Sequence, residues 1–109
     1  MKFLTRQEEM VLLAVWTLQD GAYGVTIAKK LTEMTGEEWF LNTVYLPLER
    51  LEKKGYLKSA LSDPSSKRGG RRKRLYELTS EGKKALVETK KVQESIWQKI
   101  SISYLEDDL

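Results

Sequence analysis

Three features of the sequence predict a mainly helical domain that carries a small β-hairpin and ends in a long helix. Apolar residues recur at helical spacing in four stretches, the period shortens to two between Tyr56 and Leu78, and turn-forming residues separate the segments where the period changes. The 109 residues suit one domain with one modest core. An apolar share of 40%, including three tryptophans and five tyrosines, places the chain among folding sequences even though 32% of it is charged.

The first helix is announced by a Thr-x-x-Glu capping box, Thr5 to Glu8, after which Met10, Leu13, Ala14 and Trp16, with Val11, Val15 and Leu18, recur until Asp20-Gly21 stops them. So apolar a helix should be largely buried, with Trp16 in the core. Tyr23-Gly24 forms a turn, and a second, short helix runs from about Val25 to Thr35 with Ile27, Ala28, Leu31 and Met34 on one face and Gly36 just past its end. Trp39 packs in the connector Glu37 to Leu41. Asn42 can then cap a third helix whose stripe is Val44, Leu48 and Leu51, which ends at Lys53-Lys54-Gly55, and whose start Pro47 would bend or loosen.

Strands over Tyr56 to Ser62 and Arg72 to Leu78 follow, with Asp63-Pro64-Ser65-Ser66 and Gly69-Gly70 as the turn chemistry between them. Thr79 or Ser80 can cap a last helix, Glu81 to about Tyr104, with Ala85, Leu86, Thr89, Val92, Ile96, Trp97 and Ile100 on its apolar side. The chain thus divides into residues 1–79, with the hairpin over about 56–78, and a C-terminal helix over 80–109.

Composition excludes whole classes of function. Without cysteine or histidine there are no thiolate zinc sites, no disulfides, no cysteine nucleophile and no imidazole for proton transfer, and no acid–base constellation stands out, so no enzyme, catalytic residue, metal or cofactor is expected. Glu106, Asp107 and Asp108 read as an exposed acidic tail, because adjacent side chains on a fraying end are not preorganised for a metal. The longest apolar run, Met10 to Trp16, is too short for a signal peptide followed by a span, which predicts a soluble cytoplasmic protein without membrane association.

The net charge of +3 hides a strong asymmetry. Nine cations and one anion lie between Lys53 and Arg74, so that this segment carries +8 and the rest of the chain −5. Six of those cations fall within SKRGGRRKR, residues 66–74, at the hairpin tip and return limb. Three helices followed by a hairpin with a basic tip is the element order of a winged helix-turn-helix. In such units the third helix enters the DNA major groove and the hairpin reaches backbone or minor groove, so cations at both places point to double-stranded DNA as partner. A solvated loop that keeps the protein soluble would explain the tip alone, but not its position in this order. A winged helix acting as a protein-interaction module is the alternative, and it has no need of charge at both places.

The residues that carry this reading also carry a resemblance. Tyr23-Gly24, then Thr43-Val44-Tyr45-x-Pro-Leu-x-Arg-Leu-Glu-Lys-Lys-Gly55-Tyr-Leu, then Gly69-Gly70-Arg71-Arg72-Lys73-Arg74-x-Tyr76-x-Leu78-Thr79-x-x-Gly82 resemble the PadR family of bacterial transcriptional regulators over about Leu4 to Leu86. The resemblance implies a homodimeric repressor on a pseudo-palindromic operator, released by a small aromatic or multidrug-type effector in some members. It implies that Asn42, Thr43, Tyr45 and Leu46 face bases, and that Lys54, Lys67, Arg68, Arg71, Arg72 and Lys73 hold phosphates or the minor groove. Short members with a single C-terminal helix include repressors in which a tryptophan of that helix lines a ligand pore at the dimer interface. Trp97 stands at a comparable place, and Trp16 could line the same pore.

Each of these residues also has a plainer reading. Tyr45 could pack beside Leu48 and Leu41, Glu49 and Arg50 with Lys53 suit surface pairs at i,i+4, Tyr76 suits hairpin packing, and Trp97 suits an ordinary interface anchor. A last helix from Glu81 to Tyr104 would be about 36 Å long, more than the small body can cover. Val92, Ile96, Trp97 and Ile100 on its outer half therefore predict a dimer with the same helix of a second chain.

Overall fold

The computed structural model describes residues 3–63 and 72–109, and among them 66% helix accompanies one antiparallel hairpin. The order is α1 (Arg6–Leu18), a 3-10 turn (Gln19–Gly21), α2 (Gly24–Thr35), α3 (Leu41–Lys53), β1 (Leu57–Leu61), β2 (Arg74–Leu78), α4 (Ser80–Trp97) and α5 (Ile102–Asp107). This is the winged helix-turn-helix arrangement that the sequence predicts.

The capping box forms as expected. The Thr5 amide donates to Glu8 Oε1 at 2.9 Å and the Glu8 amide donates to Thr5 Oγ1 at 3.0 Å, so two amides of the helix start are satisfied. Behind it, Val11, Leu12, Ala14 and Val15 of α1 meet Ile27, Ala28 and Leu31 of α2 and Val44, Leu48 and Leu51 of α3 in one core. Leu57 of β1 and Tyr76 and Leu78 of β2 close it from the hairpin side. Three residues expected inside are not there: Trp16 is 49% exposed, Met34 46% and Leu13 37%. Each stands at the edge of its helix stripe, where the neighbouring elements no longer reach.

α3 begins at Leu41, with Phe40 before it and no side-chain cap, so Asn42 lies exposed inside the first turn rather than capping it. The connector is held instead from α2: the Trp39 amide donates to Thr32 Oγ1 at 2.9 Å and its indole N–H to Thr35 Oγ1 at 3.2 Å. These bonds fix where the chain turns, and the helix starts before Asn42 can act. Pro47 stays within α3 and is fully buried; its ring fills core volume, which offsets the amide it cannot give.

The strands pair from Leu57↔Leu78 to Leu61↔Arg74, shorter than the predicted runs. The Tyr76 amide also donates to the Ala22 carbonyl at 2.8 Å, so the segment between α1 and α2 lies along the edge of β2. The start of α4 is seated on the end of α3's loop: Thr79 donates from its amide to the Tyr56 carbonyl (3.1 Å) and from its hydroxyl to the Gly55 carbonyl (2.6 Å). A Cβ on Gly82 would lie 2.2 Å from the Tyr56 carbonyl oxygen, so only glycine permits this approach.

The last helix is not the single rod to Tyr104 that periodicity suggests. α4 ends at Trp97, about 27 Å from its start. Lys99 and Ile100 donate to carbonyls only three residues back, and Ser101 turns extended before α5. The sequence Ile100-Ser101-Ile102-Ser103 explains the break, because β-branched residues lose rotamer freedom in a helix and serines compete for its backbone bonds.

Candidate nucleic-acid interface

α3 has two faces. Val44, Pro47, Leu48 and Leu51 are buried, while Asn42, Thr43, Tyr45 and Leu46 stand together on the exposed face of its first half. Tyr45 satisfies both of its readings: its ring lies on Gly24 of α2, where a Cβ would come within 3.3 Å of Cε1 and Oη, yet 52% of the residue remains exposed. Gly24 is therefore required for the close approach of α2 to α3. Farther along, Glu49 and Lys53 form the expected surface pair at 3.3 Å.

Lys54 does not join that exposed face. Its ammonium pairs with Glu8 Oε2 at 2.6 Å, and the Glu8 side chain is only 2% exposed. Burial pushes the Glu8 carboxyl up, but the hydrogen bonds from Lys54 and from the Thr5 amide, with the Lys54 charge, outweigh it and hold the group below its ordinary value. Lys54 thus ties the end of α3 to the start of α1, about 18 Å along the helix from Asn42. The sequence marks Glu8 only as the capping partner of Thr5, a role filled by Oε1; the bond that Lys54 gives to Oε2 has no local signal.

Of the wing cations, Lys67, Arg68 and Arg71 lie outside the described residues, as do Gly69 and Gly70. Arg72 and Lys73 are exposed just before β2, at the loop end of the hairpin. Lys73 Nζ lies 3.3 Å from Tyr23 Oη and 4.4 Å from the Tyr23 ring centroid. Next to it, Arg74 donates to Ser59 Oγ (3.1 Å), and Ser59 donates to Glu52 of α3 (2.6 Å). That chain of bonds fixes the hairpin's orientation relative to α3. Tyr76 is buried in the hairpin, and burial, with Glu52 nearby, raises its phenol above the ordinary value.

The C-terminal residues separate by exposure. Val92 is half-buried, whereas Ile96, Trp97 and Ile100 are exposed at 56%, 49% and 43%. α1 and α4 run antiparallel, for Gln93 donates to Glu9 near one end (3.1 Å) and Lys83 stands over the Trp16 ring near the other (5.3 Å). Within one protomer, Trp16 and Trp97 are therefore about 20 Å apart and cannot line one pocket. Trp16 instead borders a cleft of about 670 Å³ shared with Ala60, Leu75 and Glu77 of the hairpin and Lys83 of α4.

Among the described residues, no cluster of His, Cys, Asp and Glu is placed to hold a metal ion, and no helix is long and apolar enough to cross a membrane.

The chain is similar to known proteins in sequence and in fold. A PadR-family transcription regulator from Clostridium difficile is 35% identical, covering 90% of this chain and 97% of that one, with a TM-score of 0.66. A PadR-family regulator from Eggerthella lenta is 27% identical over 87% of this chain and 80% of its own, with a TM-score of 0.69. A PadR-like regulator from Bacillus cereus shares the fold at 22% identity, with 85% of each chain covered and a TM-score of 0.68. Among curated proteins, none matches significantly. The family and these neighbours are transcription regulators, not enzymes. The model of the transcriptional regulator PadR-like family matches residues 12–88, and with the first of these neighbours it establishes that the chain belongs to that family.

Proposed function

We propose that this regulator acts by binding DNA in the cytoplasm as a homodimeric repressor on a pseudo-palindromic operator. The observation that carries the proposal is the open first half of α3, with Asn42, Thr43, Tyr45 and Leu46 outward, together with a hairpin whose return limb enters β2 through the exposed Arg72 and Lys73. In this reading the start of α3 lies in the major groove, and Arg72, Lys73 and the tip residues Lys67, Arg68 and Arg71 hold the backbone or minor groove. Lys54 contributes through its bond to Glu8, by fixing α3, rather than as a phosphate contact.

The exposed Ile96, Trp97 and Ile100, with Val92 beside them, support pairing of the C-terminal region beyond Thr79 with that of a second chain, placing two α3 helices about one DNA turn apart. A small aromatic effector binding at that interface would use Trp97, and only a Trp16 from the partner chain could join it. The test is a fluorescence-anisotropy titration with duplex from upstream of the protein's own gene and with a scrambled duplex, at two salt concentrations. Preference for the native duplex, weakening with log salt by about 0.9 per phosphate neutralised, is expected; weak, salt-insensitive and equal binding to both would overturn the reading.

A further inference from the structure

Tyr23 lies in a turn that the sequence marks only as the entry to α2, yet it is held more firmly than an entry requires. Its amide donates to Thr26 Oγ1 at 3.0 Å, and the Thr26 hydroxyl lies 2.6 Å from the Gly21 carbonyl, so the backbone on both sides of Tyr23 is fixed. The preceding Ala22 carbonyl accepts the Tyr76 amide, which locks the turn to β2 three residues beyond Lys73. The following residue, Gly24, carries the Tyr45 ring of α3. Tyr23 is thus the junction of three elements: the start of α2, the first half of the hairpin's return strand and the exposed face of α3.

The polarity of the contact with Lys73 is fixed by chemistry. An ammonium has donors only, so at 3.3 Å Lys73 Nζ donates and Tyr23 Oη accepts. The phenolic proton is left to donate elsewhere, and among the described residues no acceptor takes it. An O–H donor and the remaining N–H donors of a cation therefore converge at one exposed place beside α3. Two convergent donors of net positive charge, with no acceptor between them, match an anion that offers several oxygens.

We infer that Tyr23 and Lys73 together grip one phosphate of the DNA backbone, with Lys73 both binding the phosphate and orienting the Tyr23 hydroxyl toward it. This rests on the DNA-binding reading above and adds Tyr23 to the interface. The contact is to backbone, so it positions the start of α3 in its groove without reading sequence.

The test compares the full chain with Y23F, K73M and the double variant, each checked for an unchanged thermal midpoint, by anisotropy on the native and scrambled duplexes across a salt series. Y23F keeps the ring under the ammonium and removes only the hydroxyl. It should weaken binding about fivefold on both duplexes and leave the salt slope unchanged, while K73M should weaken binding about tenfold and lower the slope by about 0.9. In the K73M background, Y23F should cost less than about twofold, because its hydroxyl is no longer oriented. Wild-type binding with Y23F indistinguishable from it, or losses that simply multiply, would overturn this inference alone. A wild-type chain that binds neither duplex would overturn the DNA-binding reading and this inference together.

Discussion

The body of the molecule and its C-terminal arm carry the same kind of apolar pattern and put it to opposite use. In α1, α2 and α3 the stripes end in a shared core, with Leu12, Ile27, Leu31, Leu48 and Leu51 at 0% exposure. Past Val92 the pattern continues through Ile96, Trp97, Ile100, Ile102 and Leu105, and every one of these is at least 43% exposed. Periodicity therefore reports that a face will be covered, not by which chain. In the body the cover is the neighbouring helix; for the arm we propose a second copy of the same arm.

If that contrast holds, the largest effect belongs to the body. Leu12→Ala should destabilise the domain by about 3 kcal/mol in chemical denaturation, whatever the protein concentration, since it opens a cavity in a core with no outside partner. At the junction of the two regions, Gly82→Ala should cost about 2 kcal/mol by the same measurement, because its methyl meets a backbone carbonyl that cannot move aside. A neutral Gly82→Ala would mean that the arm is less firmly seated on the body than its contacts indicate.

Lys54→Met should cost about 1.5 kcal/mol, less than breaking a fully buried pair because the ammonium is 41% exposed. Its signature is pH dependence. Glu8 has a folded value below the ordinary 4.5, so its contribution is present above that value and disappears as pH falls through the lower, folded one. Stability of the wild-type chain measured against pH should fall more steeply below about 4.5 than that of Glu8→Gln. Smallest in the monomer is Trp97→Ala, with a change below about 0.5 kcal/mol at concentrations where chains are separate; yet analytical ultracentrifugation should show self-association weakened about tenfold. Loss of monomer stability without loss of association would erase the contrast between body and arm.

How far this was legible in the sequence depended on distance along the chain. The capping box, the stripes of α1 to α3 and the hairpin rest on residues two to four apart, and those signals are local. Trp16 and Met34 follow the same spacing as their buried neighbours, so their exposure, set by where other elements stop, carried no local mark. The partner of Lys54 stands 46 residues away and that of Lys73 stands 50 away. A list of cations could not tell that one is bound to a buried carboxylate and the other to an exposed phenol. The break after Trp97 was more accessible: two isoleucines alternating with serines should have weighed against a continuous helix, but an apolar repeat running through them masked it.

The seating of Thr79 and Gly82 on Tyr56 has a geometric consequence. It clamps the arm to the chain immediately after α3, so the two form a crank whose pivot lies at Gly55-Tyr56 and whose far tip is the start of α3, about 20 Å away. In the proposed dimer, a change of about 5° in the angle between the paired arms would sweep that tip through about 2 Å. On the DNA-binding reading proposed above, such a step is enough to lift a side chain off a base edge, so the spacing of the two α3 helices would be adjusted from the far end of the molecule without any rearrangement of its core.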